Sequence, residues 1–227
     1  MDSFMNLEEE GRVLNLYKPV GFSSFEILRR VKKKLGFKKV GHAGTLDPLA
    51  SGVLLLCIGK ATRRVPELQS LRKVYRGRFI LGEETPSHDA ETPVQKTCDI
   101  SDLSPDCLNQ VKEHFSGEQQ QIPPMYSAVK VKGRRAYELA RKNQHVELAP
   151  KRVHISDIKF SASHWPEIDF ELSCSKGTYI RSWVRDIGKY LCVGAYLLGL
   201  ERIAVGPHTL EKSYHPDDLS MDMLVNG

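Results

Sequence analysis

Gly41-His42-Ala43-Gly44-Thr45-Leu46-Asp47-Pro48-Leu49-Ala50-Ser51-Gly52 runs straight into Val53-Leu54-Leu55-Leu56-Cys57-Ile58. Six consecutive apolar residues without polar alternation predict a strand covered on both faces. The loop before it carries three glycines and a single carboxylate, Asp47. Removing a lone carboxylate from water is costly, so it needs a partner or a task. Glycine lets the backbone turn where other residues are strained and lets a ligand come close. A glycine-rich loop with one Asp is more often a turn capped by that side chain. The stretch therefore sets the strand and nominates Asp47 without deciding what Asp47 does.

The flanks extend this pattern. Arg12 to Leu16 reads as a short strand before a Lys18-Pro19 turn. Ser23 as N-cap and Glu26 three residues on form a capping box, with Phe22 and Ile27 spaced as a hydrophobic staple. Ile27, Leu28, Val31 and Leu35 give the helix its apolar face, and Gly36 suits its stop. Ala61 to Leu71 reads as helical around Pro66. Tyr75 to Leu81 reads as strand, and Leu108, Val111 and Phe115 as helix. A strand is marked by Val153, Ile155, Ile158 and Phe160. Strict alternation at Ile168, Phe170, Leu172 and Cys174 predicts a half-buried antiparallel strand. Ile180, Trp183, Val184, Ile187 and Leu191 repeat at helical spacing, and Leu198 to Val205 reads as a last strand. Strands and helices mix without a βαβ rhythm, which argues α+β around a mostly antiparallel sheet flanked by helices.

Charge is unevenly placed. The chain has 227 residues and a net charge of +5. Arg12 to Arg78 holds sixteen Lys or Arg against Glu26, Asp47 and Glu67, a net +13 that leaves −8 for the remainder. Seven of these cations fall between Arg29 and Lys39. One such run is usually a solvated helix face, but this one shares its third of the chain with Asp47, which favours a nucleic-acid partner. Met1 to Glu10 is acidic and lacks the apolar stretch of a signal. No run has the length of a membrane span. The five cysteines form no CxxC pair, which fits reduced, packed thiols in a cytoplasmic protein. His42 has no second His or Cys at ligand spacing, so no metal is expected.

Five separated segments, in order, resemble the TruB family of tRNA pseudouridine synthases. They are Lys18-Pro19-Val20-Gly21 with Ser23-Ser24, the Asp47 loop, Arg72-Lys73-Val74-Tyr75, Ile122 to Lys130 with Ala136 to Arg141, and Cys174 to Arg181. Together they span roughly residues 12 to 205. The resemblance implies the pseudouridine synthase fold over 11–212, with 121–150 as a mobile RNA-contacting excursion and 213–227 as a short acidic tail. The chain stops at Gly227, which on this reading leaves no room for the PUA domain of many bacterial members and implies weaker acceptor-arm binding. In Leu81 to Thr92 the family usually has Asp where Pro86 stands and Gly where Thr92 stands, so altered loop geometry is expected there.

The resemblance also implies chemistry: a uridine in the T loop of tRNA, at position 55, is isomerised without cofactor or metal by a monomer. It assigns the reacting carboxylate to Asp47, through C1′, C6 or elimination, and pairs that carboxylate with Arg181. A nearby cation offsets the upward push of burial on a carboxyl group. Tyr75 packs against the uracil and assists deprotonation, Tyr179 and Leu200 contact the base, and His42 engages the RNA where the nucleotide leaves the stack. Read as bare residues, Tyr75, Tyr179 and Leu200 are core. Lys18, Lys60, Arg63, Lys130, Lys132, Arg134 and Arg135 are candidate phosphate contacts, each equally readable as solvated surface. RNA affinity should then fall with salt. The alternative from another class is a noncatalytic RNA-binding protein or tRNA-folding chaperone. A metal-dependent phosphohydrolase fares poorly, since the sequence shows neither metal carboxylates nor a phosphate loop.

Overall fold

A computed structural model of the chain describes residues 9–127, 129–131, 133–136, 139, 146–221 and 223. It divides into two bodies, Met1–Tyr75 with Leu200–Gly227, and Arg76–Gly199.

The first body is organised around β3 (Ala50–Ile58), all nine residues of which are buried. On one edge β1 (Arg12–Lys18) runs antiparallel to it, Leu16 opposite Leu54. The other edge is shared. β2 (Val40–His42) pairs antiparallel with its end, His42 opposite Leu56, and β12 (Ala195–Val205) runs parallel to its start, Leu200 opposite Ala50. Leu54, Leu56 and Ile58 pack with Ile27, Leu28, Val31 and Leu35 of α1 (Ser24–Leu35). Val53, Leu55 and Cys57 pack on the opposite side with Ala43, Leu68 and Val205. Covering both faces is the physical reason for an unbroken apolar run.

Helix α1 begins and ends as its sequence predicts. The Ser23 hydroxyl accepts from the Glu26 amide at 3.2 Å, the Glu26 carboxylate accepts from the Ser23 amide at 2.7 Å, and Gly36 closes the helix at φ 72°. The Ala61–Leu71 region is a 3-10 turn (Gly59–Arg64) leading into α2 (Val65–Ser70), with Pro66 in the first turn. There the missing amide costs no helical bond. The segment expected as a tail is packed as far as it is described. Tyr214 bridges Leu16, and Leu219 lies in the α1 core at 1% exposure.

In the second body, β4 (Lys73–Leu81, from Arg76 on), β11 (Glu167–Cys174), β10 (Lys151–His164) and β7 (Gly117–Gln121) are neighbours in that order. β10 runs antiparallel to both β11 and β7, and two short antiparallel pairs, β5 (Glu83–Glu84) with β6 (Lys96–Thr97) and β8 (Lys130–Val131) with β9 (Arg134–Arg135), lie off this sheet. Trp183 of α4 (Ile180–Tyr190) closes the core against Phe79, Phe160 and Phe170, with ring centroids 5.2–6.2 Å apart. α3 (Cys107–Phe115) buries Leu108, Val111 and Phe115, the expected stripe. Apart from β12 on β3, the ladders described within each body are antiparallel. The α+β expectation is met.

Candidate active site

Asp47 is half-buried in the loop joining β2 to β3, and that loop is fixed from three directions. The Ser24 hydroxyl of α1 accepts from the Leu46 amide at 2.8 Å and donates to the Leu46 carbonyl at 3.1 Å. The Gly21 amide donates to the Pro48 carbonyl at 2.8 Å, and the Ala43 amide to the Leu55 carbonyl at 2.9 Å. From β12, Arg202 reaches beneath the loop. Its Nη2 donates to the Gly44 carbonyl at 3.3 Å, its Nη1 to the Thr45 carbonyl and the Tyr75 hydroxyl, both at 3.5 Å, and its Nε to the Val53 carbonyl at 2.7 Å. Gly52 allows this approach. Its φ is 106°, and a Cβ there would lie 2.3 Å from the Arg202 carbonyl oxygen.

Tyr75 is 8% exposed, and Leu200 faces Ala50 across the ladder that begins β3. His42 ends β2. Burial, and then the Arg202 guanidinium, hold its imidazole below the ordinary pKa, with the Gly44 backbone acting weakly the other way. It is neutral at pH 7. One body thus gathers Asp47, His42, Tyr75 and Leu200, with Arg202 below them.

Arg181 and Tyr179 belong to the second body. Tyr179 caps α4, and its amide donates to the Gln121 side-chain oxygen at 2.8 Å. Arg181, in the first turn, is 5% exposed. It donates to the carbonyls of Ser87 at 3.2 Å and Tyr126 at 2.9 Å, and its Nε lies 3.4 Å from Asp89 Oδ2. Asp89 is fully buried. Its Oδ1 accepts from the Ser87 hydroxyl at 2.5 Å and the Glu91 amide at 3.0 Å. Asp89 Oδ2 has no well-directed hydrogen bond, so the contact with Arg181 is one of charge. The Leu81 to Thr92 segment, read from sequence only as altered loop geometry, therefore supplies the carboxylate that faces Arg181 in its body.

Residues 32–180 match the TruB family pseudouridylate synthase N-terminal domain. The chain is 47% identical over 217 residues to tRNA pseudouridine synthase B of Bacteroides fragilis, covering 92% of each. It is 43% identical to the protein of that name from Parabacteroides distasonis, again covering 92% of each. The chain belongs to the TruB family. Among solved structures, this TruB-family chain resembles one in the crystal structure of a Cbf5-Nop10-Gar1 complex. The TM-score is 0.73 at 31% identity, over 96% of this chain and about 56% of the length of that one.

The phosphate candidates of this TruB-family chain divide. Lys18 is a correction. It is wholly buried, and its ammonium donates to the carbonyls of Pro19 at 2.9 Å and Phe22 at 2.6 Å. It fixes the turn before α1 and does not present charge to a phosphate. Lys60, Arg63 and Arg134 are exposed. Lys132 and the side chains of Lys130 and Arg135 lie outside the described residues, as does much of the 121–150 excursion. All five cysteines are free thiols. No helix among the described residues is long and apolar enough to cross a membrane, and no group of three His, Cys, Asp or Glu among them is placed to hold a metal.

Sequence reasoning passed over two residues, Arg202 and Asp89. The signal for Arg202 is a pair of charges, Glu201 and Arg202, inside the otherwise apolar Leu197 to Val205, where alternation turns one of the two inward and that one must be fully partnered. For Asp89 it is a carboxylate next to two hydroxyl residues, Ser87 and Thr92.

Proposed function

We propose that this chain converts uridine to pseudouridine in the T loop of tRNA, at position 55, with Asp47 as the reacting carboxylate. The N1–C1′ bond of the nucleoside breaks, the uracil turns, and C5 bonds to C1′. The C5 proton leaves and N1 gains one, so the product is an isomer. A carboxylate suits the task because it is ionised at neutral pH and both adds and departs readily. The target base must first leave the stack, at a cost of a few kcal/mol that pocket contacts offset. Tyr75, Tyr179, Leu200 and His42 are the residues proposed to meet the base and the opened strand, and Arg181 is the cation proposed to serve Asp47. The observation that carries the reading is the Asp47 loop, clamped by Ser24 and Arg202 in a chain of this family. A rigid mount of this kind keeps a reacting group in productive geometry.

Tritium release from tRNA carrying 5-tritiated uridine tests it. The parental protein is expected to release tritium, and Asp47→Asn to bind the same tRNA with no release. Release by Asp47→Asn at the parental rate would show that Asp47 does not react. Binding without release by the parental protein would favour an RNA-binding or chaperone protein instead. Arg181→Lys keeps the charge but not the planar fork, and should lower release roughly tenfold or more. Parental turnover in that variant would show that the fork is dispensable, and parental turnover in Arg181→Leu would remove Arg181 from the site.

A further inference from the structure

The first body carries an exposed apolar cluster beside the Asp47 loop. Val20 is 60% exposed, Phe22 39% and Phe25 60%, three large apolar side chains within six residues. Their turn is tied to the loop by the Gly21 amide on the Pro48 carbonyl and by Ser24 on Leu46. Phe25 then opens a groove of about 680 Å³ along α1 that Glu26, Arg29, Arg30, Lys32 and Lys33 also line.

The cations of α1 are treated differently. Arg30 pairs with Asp217 at 2.6 Å, and the Lys34 ammonium donates to the Asp217 carbonyl. Among the described residues no carboxylate forms an ion pair with Arg29, Lys32 or Lys33, though Glu26, three residues before Arg29, feels its charge. The helix dipole favours cations in the last turn, which accounts for Lys32 and Lys33 without any ligand. Glu26 at i−3 gives Arg29 a partial partner. Neither effect accounts for a phenyl ring held in water at the start of the helix. An aromatic platform followed by a line of cations is the arrangement that holds unpaired nucleic acid, with bases on the ring and phosphates on the charges.

We propose that this groove along α1 is an RNA track continuous with the Asp47 loop. It takes the unpaired nucleotides next to the target uridine, with one base stacked on Phe25 and the following phosphates along Arg29, Lys32 and Lys33. From Phe25 to Lys33 the helix rises about 12 Å, room for a short run of nucleotides. The inference rests on tRNA as the substrate.

Binding of a full-length tRNA transcript, measured against salt, tests it after the parental protein has been shown to form pseudouridine in that transcript. Failure at that first step counts against the proposed function; the outcomes below count for or against the track. The triple variant Arg29→Gln, Lys32→Gln, Lys33→Gln keeps good helix formers. It is expected to lower the slope of log K against log salt by about 2, since each lost single-strand phosphate contact removes about 0.7. Phe25→Ala should weaken binding by roughly 5- to 100-fold, as loss of one base stack does, and Phe25→Trp should restore it. Arg30→Gln, which removes the one cation of the groove whose charge Asp217 already offsets, should leave the slope unchanged. A parental slope in the triple variant, Phe25→Ala binding within about twofold of parental, or an equal loss in Arg30→Gln would each overturn the track.

Discussion

Two arginines are buried almost equally, Arg181 at 5% and Arg202 at 1% exposure, yet they are satisfied in opposite ways. Arg181 faces a carboxylate within its body, Asp89, besides two carbonyls. Arg202 meets three carbonyls and the Tyr75 hydroxyl, and among the described residues no carboxylate pairs with it. The first is a compensated charge. The second places a positive charge beneath the Asp47 loop, where it adds to burial, the larger cause, in holding the His42 pKa down. Arg202 thus holds the backbone of the loop and gives its surroundings a field that favours anions. Neutral acceptors achieve both, because carbonyl dipoles satisfy the guanidinium without cancelling its charge.

The sharpest way to break the comparison is Arg202→Met. It removes the Arg202 donor from the oxygens of Gly44, Thr45, Val53 and Tyr75, and a hydrogen bond to a charged group contributes about 1.5–3 kcal/mol where it is buried. Urea unfolding should show a loss on the order of 4 kcal/mol, the largest effect expected among these variants. Arg202→Lys keeps the charge but reaches fewer acceptors and should fall between. NMR titration separates the two roles. The His42 pKa should rise in Arg202→Met and stay low in Arg202→Lys, although burial, its larger cause, persists in both. Stability within about 1 kcal/mol of parental in the Met variant would show that the clamp is incidental.

Asp89→Asn tests the other arginine. The amide oxygen of Asn still accepts from Ser87 and Glu91, so the loop keeps its hydrogen bonds while Arg181 loses the charge of Asp89. Breaking a buried ion pair costs about 3 kcal/mol. A variant as stable as the parental protein would show that Arg181 needs no charge partner in its body. The comparison predicts opposite rankings. For Arg181 the charge of the partner matters most, and for Arg202 the number of acceptors does.

How far these features were readable from sequence follows from how local their causes are. The β3 strand, the Ser23–Glu26 capping box, the Gly36 stop and the Trp183 helix stripe were legible because each is fixed within a few residues by periodicity or cap chemistry. So was Asp47 as a nominee, through the company of glycines. Lys18 misled because a lysine next to Pro-Val-Gly looks like surface, and nothing local shows that the turn folds its carbonyls over the ammonium. Arg202 escaped because its acceptors lie 127 to 158 positions away along the chain. Asp89 escaped because an Asp among Ser and Thr has the signature of an ordinary turn, and its partner Arg181 arrives from a helix more than ninety residues on.

The smallest effect at neutral pH, and a sharp one in acid, is expected at His88, next to Asp89 in the compensated cluster. Burial first, then Arg185, Arg181 and Lys189, push its pKa down to about 4, against a weak opposite pull from the Thr85 backbone. The folded protein therefore refuses a proton that the unfolded chain accepts near the ordinary histidine value of about 6.5. As pH falls through that value the unfolded state binds more protons, so stability declines with acid and levels off once the folded form also protonates near pH 4. The loss over that window is roughly 3 kcal/mol, at about 1.4 kcal/mol per pH unit. His42 and His208, also lowered, add to it with the same sign. His88 has φ 61°, a conformation Asn tolerates, so His88→Asn removes the titration without straining the backbone. The variant should match the parental protein at pH 7 and outlast it at pH 4.5 in urea unfolding. Parallel stability–pH curves would show that neither burial nor the cations around Arg181 lower the His88 pKa in the folded protein.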